Sequence, residues 1–458
     1  MVKPATLTQA ARAMGADLPT AHANTIFGGA AIDSRKVREG DLFFALRGRT
    51  DGADFAPEAH LRGAVATVAT RPLDVPTIVV DDPEKALQRL ARWSLVRPDS
   101  PSPHVVGITG TVGKTTTKDA LATVLRHAGK RVSATEGNLN NELGLPLTVL
   151  SADPRTEVLV LEMGATHAGD IEHLCSIAPP EVGILTAISP VHLDSFGSLE
   201  GLAAAKGELA LALPDSGSLV SPAGAPAKAT GPGRKLGRRI TFAREGGADL
   251  VASEIEGREE GLRFVATIGD ESAEVRSPVF GTHLVEPLLA SLGGALALGL
   301  DLEVAARGLA RLRRTGLRGD VYRLKDDIVV YDDSYNASPA AVAAVLRYGA
   351  EQAAGQGRRL VVVLGGMFEL GPCAREYHRE AGKLAGEVGV DLLACVGDEA
   401  RWYAEAFSGK TLFYEDAATA ADTLRDELRS GDYLLVKGSR GVGLDTLTRK
   451  LRESLALV

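Results

Sequence analysis

The residues best suited to chemistry lie in one run, Val105-Val106-Gly107-Ile108-Thr109-Gly110-Thr111-Val112-Gly113-Lys114-Thr115-Thr116-Thr117. It reads as an apolar strand, a glycine-rich turn and the start of a helix, an order that carries backbone amides and a helix N-terminus up to phosphate oxygens. Lys114 has the reach for β- and γ-phosphates, and the Thr115 hydroxyl suits Mg2+. The general phosphate-loop pattern has glycine where this chain has Ile108; the form here is the tighter Gly110-x-x-Gly113-Lys114-Thr115. A glycine-rich turn alone serves packing as readily as binding. Lys-Thr at the helix start favours a nucleotide, held over Thr109, Gly110, Thr111, Val112, Gly113, Lys114, Thr115 and Thr116.

Other groups carry both a chemical and a plain structural reading. Glu162 ends the apolar run Leu159-Val160-Leu161, where ligands of parallel sheets gather, and could be a second Mg2+ ligand or a solvated or capping carboxylate. His192, in Ser189-Pro190-Val191-His192-Leu193-Asp194, is on its own more often a core or loop histidine than a ligand. Lys206 stands in a mostly apolar helical stretch, and a solvated face is the default for a lysine. Tyr331-Asp332-Asp333-Ser334-Tyr335-Asn336 closes a strand before a helix starting near Pro339; its polar groups could cap that helix or bind a ribose. Lys437-Gly438-Ser439-Arg440 sets two cations at another strand-to-helix turn, a place for a carboxylate or phosphate.

These groups need a scaffold, and the pattern around them supplies an α/β one. The 458 residues suffice for about three domains. Before the Pro/Ser-rich linker at Pro98–Pro103, strand-like runs at Asp41–Leu46, Ala64–Ala69 and Thr77–Val80 surround a helix near Ala56–Gly63, and an amphipathic stretch, Glu84 to Val96, follows; this is a small mixed α/β domain over 1–100. Over 101–315, strands His104–Gly110, Glu157–Gly164 and Val182–Ile188 alternate with helices Lys114–His127 and Leu199–Leu213, the mark of a parallel sheet with crossover helices. Ser221–Lys235, rich in Pro, Gly and Ala, reads as a mobile surface loop; β-like segments to Phe280 and helices Leu284–Leu298 and Leu302–Arg313 follow. After Arg314–Gly319 a second doubly wound, Rossmann-like unit, 316–458, takes its strands from Ile328–Asp332, Arg359–Leu364, Asp391–Val396, Thr411–Tyr414 and Tyr433–Lys437.

Composition narrows the function classes. A net charge of −8, with 45% hydrophobic and 24% charged residues, disfavours disorder and general nucleic-acid binding, so a phosphate site must be built locally. Cys175, Cys373 and Cys395 show neither disulfide nor zinc spacing and read as buried small hydrophobes. Met1–Leu18 lacks the regions of a signal peptide, and the apolar run Leu288–Leu300 is too short to span a membrane; a cytoplasmic protein without membrane insertion is the expectation.

In their order along the chain, the phosphate loop, Gly137-Asn138-Leu139-Asn140-Asn141, Glu162-Met163-Gly164, His192-Leu193-Asp194, Ala205-Lys206-Gly207-Glu208, Asp332 to Ala337 and Lys437-Gly438-Ser439-Arg440 resemble the Mur ligase family of peptidoglycan synthesis. The likeness covers nearly the whole chain, although the loop alone also fits folylpolyglutamate synthetases. Asp332–Ala337 and Met367-Phe368-Glu369-Leu370-Gly371 resemble the dipeptide-adding branch, and the Asp-Asn-Pro-Arg signature of the branch that adds the third residue is missing.

The resemblance implies a uridine-nucleotide-gripping first domain, a central ATPase and a closing C-terminal domain. It implies ATP-dependent joining of D-alanyl-D-alanine to a UDP-MurNAc-tripeptide by a monomer. Thr115 and Glu162 would then hold one Mg2+, with His192 and Lys206, carbamylated, holding a second; Lys114 and Arg318 would contact phosphate. Asp333 and Asn336 would face the nucleotide, and Ser34, Arg35, Asn138, Asn140, Asn141, Lys437, Ser439 and Arg440 the substrates. The chain departs from the family at Ala53, Ala187, Ser221–Ala223, Leu284, Pro287 and Gly366, so its nucleoside contacts are expected to be altered, and a weakened nucleotide-binding relative stays open.

Overall fold

The computed structural model describes residues 4–16, 22–97, 102–190, 193–258, 260–313 and 316–455. Among them the strands form sheets of nine, six, four and two, and three of these sheets matter for the site. In the first, Gly29–Ala31, Asp41–Phe44, Ala66–Ala69 and Thr77–Val79 pair in parallel. Helix Leu7–Met14 and the strand Gly29–Ala31 join the elements expected there. Helix Pro83–Val96, with Pro at its start and Asp82 accepting from Glu84 N, covers this sheet.

In the nine-stranded sheet His104–Thr109 is third from one edge, flanked in parallel by Val182–Leu185 on one side and Val158–Glu162 on the other. Successive side chains point to opposite faces, and both faces are apolar. Val106, Ile108, Val158 and Val160 pack under helices Lys114–His127 and Val285–Ala297, with Leu121, Val124 and Leu288. Leu159, Leu161 and Met163 face the other way and share a core with Leu42, Phe44, Leu87 and Leu90 of the N-terminal unit. Central and N-terminal units are thereby welded along one sheet face.

One expectation fails here. The stretch 221–235 is not a surface loop throughout: Ser218–Pro222 is an interior strand paired with Val182–Leu185 and Arg238–Ala243, and Ala229 is buried. A Cβ at Gly207 would run into the Lys228 carbonyl, so this segment lies tight on helix Leu199–Ala212. Pro222 closes its strand, where its missing N–H costs least.

The six-stranded sheet runs in the order Asp320–Arg323, Val329–Asp333, Tyr433–Lys437, Leu360–Gly365, Leu392–Val396, Lys410–Tyr414, parallel except for the first pair. Its two faces bury separate clusters, Tyr331, Val362 and Leu364 on one and Val330, Val361 and Val363 on the other. Tyr331 OH donates to Phe280 O at 3.3 Å and ties this unit to the central one. Cys175 and Cys395 are buried as expected, whereas Cys373 is only half-buried. No helix of the described residues is long and apolar enough to cross a membrane.

Candidate active site

The glycine-rich turn leaves strand His104–Thr109 at its C-terminal end, beside the strand where the sheet order reverses. Gly110 has φ +141°, and a Cβ there would overlap Thr186 Oγ1, which donates to Val112 O at 2.6 Å. Gly113, at φ +86°, heads helix Lys114–His127; a Cβ on it would meet Pro287 Cγ at 2.9 Å. Both positions need glycine for conformation and for space. Thr111 N donates to Ala187 O at 2.9 Å, and the Thr111 and Ser189 hydroxyls lie 2.8 Å apart, stitching the loop to the neighbouring strand's end. No side chain caps the helix, so its first amides remain available to an anion.

Lys114 folds back over the turn and donates to Gly110 O at 2.7 Å and Thr111 O at 3.4 Å. Burial lowers its pKa, the Glu162 charge opposes that, and the Arg318 charge adds to it. The ammonium is thus held among weak acceptors that a phosphate would outcompete.

Glu162 is 4% exposed, which removes the solvated and capping readings. One carboxylate oxygen accepts from Thr115 Oγ1 and the other from Asn140 Nδ2, both at 2.9 Å. Its amide donates to Thr135 Oγ1 at 2.9 Å. A hydroxyl and a carboxylate meeting beneath a phosphate loop are hard oxygen donors of the kind Mg2+ takes alongside phosphate and water. Among the described residues no three His, Cys, Asp or Glu stand together as a metal cage.

Lys206 overturns the solvated reading. It is 3% exposed, donates to Ala165 O at 3.2 Å and lies 5.5 Å from the Phe196 ring. Burial, helped by the Lys114 charge and opposed by Asp170 and Glu208, brings its pKa from 10.5 down to about 7. An amine neutral near pH 7 is the form that can take up CO2, so the residue fits the carbamate. Glu208 accepts from Gly169 N at 2.7 Å and Glu172 N at 3.0 Å, pinning the start of helix Asp170–Ile177. His192 lies outside the described residues.

In the C-terminal unit, Asp333 neither caps a helix nor stands free: it pairs with Lys437 Nζ at 2.5 Å. Asp332 accepts from Ser334 N and Oγ, and the helix Pro339–Gly355 begins without a side-chain cap. Lys437 also donates to Asn336 O at 2.8 Å, so it is engaged within its own sheet rather than displayed beside helix amides. Arg440 pairs with Asp445 at 3.1 Å and starts a short 3-10 turn; the helix proper begins at Leu444. Asn336 is exposed. Ser439 Oγ accepts from Phe368 N at 2.9 Å. Arg318 stacks on Tyr335 at 3.8 Å, with Arg440 at 5.7 Å from the same ring.

Thr115, Lys118, Arg126, Arg313, Arg318 and Tyr335 line a cleft of about 900 Å³ between the two units. The nucleoside-side departures lie nearby: Leu284 lines a smaller cleft with Thr116 and Arg318, and Ala187 offers a carbonyl already taken by Thr111. Ser34 and Arg35 belong to the N-terminal unit, Ser34 Oγ donating to Glu58 at 2.8 Å and Arg35 pairing with Asp33 at 2.9 Å. Asn141 Oδ1 accepts from Gly144 N at 2.9 Å, and Asn138 is exposed. Thr135 and Thr186 were not singled out from the sequence, and Tyr335 was quoted only as part of its motif; the polar Thr186 near the end of the apolar run from Val182 could have marked it.

Fold and site together define a three-unit α/β phosphate-loop protein whose last unit is Rossmann-like. The chain belongs to the Mur ligase family. Residues 26–94 match the model described as the Mur ligase family catalytic domain, 108–295 the Mur ligase middle domain, and 317–440 the Mur ligase glutamate ligase domain. UDP-N-acetylmuramoyl-tripeptide--D-alanyl-D-alanine ligases are among its relatives. That of Bacillus subtilis is 32% identical, covering 94% of each chain, and that of Escherichia coli 33%, covering 92% of this chain and 93% of the relative. The crystal structure of MurF from Acinetobacter baumannii superposes with TM-score 0.86 at 29% identity over 99% of both chains. MurF from Thermotoga maritima, solved with ADP, gives 0.80 at 32% identity over 93% of this chain and 98% of that one.

Proposed function

We propose that the protein is an ATP-dependent, ADP-forming ligase that joins D-alanyl-D-alanine to a UDP-N-acetylmuramoyl-tripeptide in peptidoglycan synthesis. The observation that carries this reading is the meeting of Lys114, the Thr115–Glu162 pair and buried Lys206 in a chain similar throughout to such ligases. Residues 1–100 would grip the uridine nucleotide through Ser34 and Arg35, 101–315 would hold ATP, and 316–458 would close over it and bring the dipeptide.

The γ-phosphoryl group passes to the terminal carboxylate of the tripeptide, and the dipeptide amine displaces phosphate from the acyl phosphate to leave an amide. Two anions must meet first. Lys114, the free amides of Gly113–Thr116 and Arg318 offset that repulsion and stabilise the spread charge of the transferring group. Mg2+, when bound, would supply further positive charge for the phosphates, one ion held by Thr115 and Glu162 and another by His192 and carbamylated Lys206. Asn140 holds Glu162 in place. Asp333 and Asn336 face the nucleotide, held by Lys437 from behind, while Asn138, Asn141, Ser439 and Arg440 meet the acceptor and donor substrates. Closure of the C-terminal unit excludes water that would hydrolyse the acyl phosphate.

The test is ADP release with a UDP-MurNAc-tripeptide and ATP, with and without D-alanyl-D-alanine. Release that needs both substrates and yields a UDP-pentapeptide supports the reading; ATP binding without turnover makes the protein a nucleotide-binding switch instead. Labelled 13C-bicarbonate tests the carbamate apart from activity: its carbamate resonance should vanish in Lys206→Ala, whose activity short carboxylic acids should partly restore.

A further inference from the structure

One carboxylate at the C-terminal ends of the six-stranded sheet is used by nothing described so far. Glu399 follows the strand Leu392–Val396; its side chain is 36% exposed, yet one oxygen, Oε2, is turned away from solvent without a hydrogen-bond partner among the described residues. His378 Nε2 stands 3.9 Å away, yet that nitrogen accepts from Met367 N at 2.9 Å and so has no proton to donate to Glu399. A desolvated carboxylate oxygen with no donor is costly. A ligand that brings the donor removes the cost.

The surroundings say what kind of ligand. A Cβ at Gly366 would stand 3.2 Å from Glu399 Cβ and 3.3 Å from its Oε2, so the glycine leaves room over the carboxylate. Phe368, 42% exposed, spreads its ring from Gly366 toward Gly441, an apolar wall next to the charge. Its amide is fixed by Ser439 Oγ, the neighbour of Arg440. The same loop reaches the central unit: a Cβ at Gly371 would overlap the Asp194 carboxylate, and Phe196, two residues on, lies against Lys206. The loop that carries the ring therefore meets the central unit at the segment that covers Lys206, and the carboxylate stands behind that ring at the same end of the sheet.

We propose that Glu399 receives the ammonium of the incoming dipeptide and Phe368 packs on its first methyl group. This rests on the ligase reading above and adds to it the residues that select the amine substrate. Glu399 is a cation-accepting group beside a small apolar wall, which suits a short amine better than a long acidic or basic side chain. Burial raises its carboxyl above the ordinary range. The amine must shed a proton before attack, and that proton can pass to Glu399, leaving a neutral amine and a neutral acid.

Steady-state ADP release by the full-length protein tests it, using Glu399→Gln, Glu399→Ala and Glu399→Asp. The first two should raise the KM for D-alanyl-D-alanine about tenfold or more, as loss of a charge-assisted hydrogen bond does, with the KM for ATP and for the UDP-tripeptide within about twofold of wild type. Glu399→Asp should recover part of the loss. N-acetyl-D-alanyl-D-alanine, which has no ammonium, should inhibit wild type and Glu399→Gln with the same Ki. An unchanged dipeptide KM, or a parallel rise in all three KM values, would overturn the assignment. An inactive wild-type protein would instead sink the ligase reading itself.

Discussion

Thr115 Oγ1 donates to Glu162 Oε2 at 2.9 Å although the two residues are 47 positions apart. The bond follows from the sheet: Ile108 and Glu162 are cross-strand neighbours, so the strand that ends in the phosphate loop delivers Thr115 directly above the end of the next strand. An oxygen pair so placed would seat a cation beneath phosphates held by the loop, which is the role proposed for it.

Glu162→Gln keeps the size and the acceptor for Thr115 but removes the charge. Turnover should fall by about 10- to 100-fold or more, and the Mg2+ concentration for half-maximal ADP release should rise. A Mg2+ profile superimposable on that of wild type would remove Glu162 from the metal site.

Lys206 makes stability depend on pH with a definite sign. Its folded pKa of about 7 lies below the ordinary 10.5. Between these values the unfolded chain holds the proton and the folded one does not, so stability of the metal-free protein should rise with pH across that window. Below pH 7 both states are charged and the folded state bears the full burial cost, of the order of 4 kcal/mol. Lys206→Met should therefore be the more stable protein at pH 6 and lose most of that advantage by pH 10. Urea unfolding in EDTA and CO2-free buffer measures this; a variant less stable than wild type at pH 6 would contradict it.

Local signals made much of this architecture readable. Helix Lys114–His127 and strand Tyr433–Lys437 have the bounds expected of them, and the helix at Pro339 starts where its proline places it. A glycine turn, an unbroken apolar run and a fixed-φ residue all act within a few positions. Strand Ser218–Pro222 was hidden because its Pro, Gly and Ala neighbours have the composition of a loop, while its burial comes from strands and a helix far along the chain. Lys206 was misread for the same reason: its apolar helix says that most faces are covered, not which neighbour covers the lysine. The Asp333–Lys437 pair spans 104 positions and has no local mark at all.

Lys114→Ala should cut ATP turnover by at least about 100-fold while leaving the fold intact. Among the described residues the ammonium's hydrogen bonds go to two turn carbonyls, Gly110 O and Thr111 O. Circular dichroism and ADP release on the same sample check both halves. Substantial ADP release from a folded variant would reject the phosphate-site assignment.

Lys437 and Asp333 form the most enclosed ion pair of the C-terminal sheet's ligand edge, their side chains 4% and 18% exposed. Removing one partner leaves the other charge desolvated, and Lys437 also satisfies the Asn336 carbonyl. Lys437→Met should consequently destabilise the protein by about 3 kcal/mol, visible as a lower urea midpoint with an unchanged slope. Adding Asp333→Asn should restore part of that loss, because the stranded carboxylate is then neutral. Activity should not return with stability, since both side chains stand where the loop proposed to face the nucleotide leaves the sheet. Two independent losses, with no recovery in the double variant, would show that the pair is not coupled and that each residue is held by other contacts.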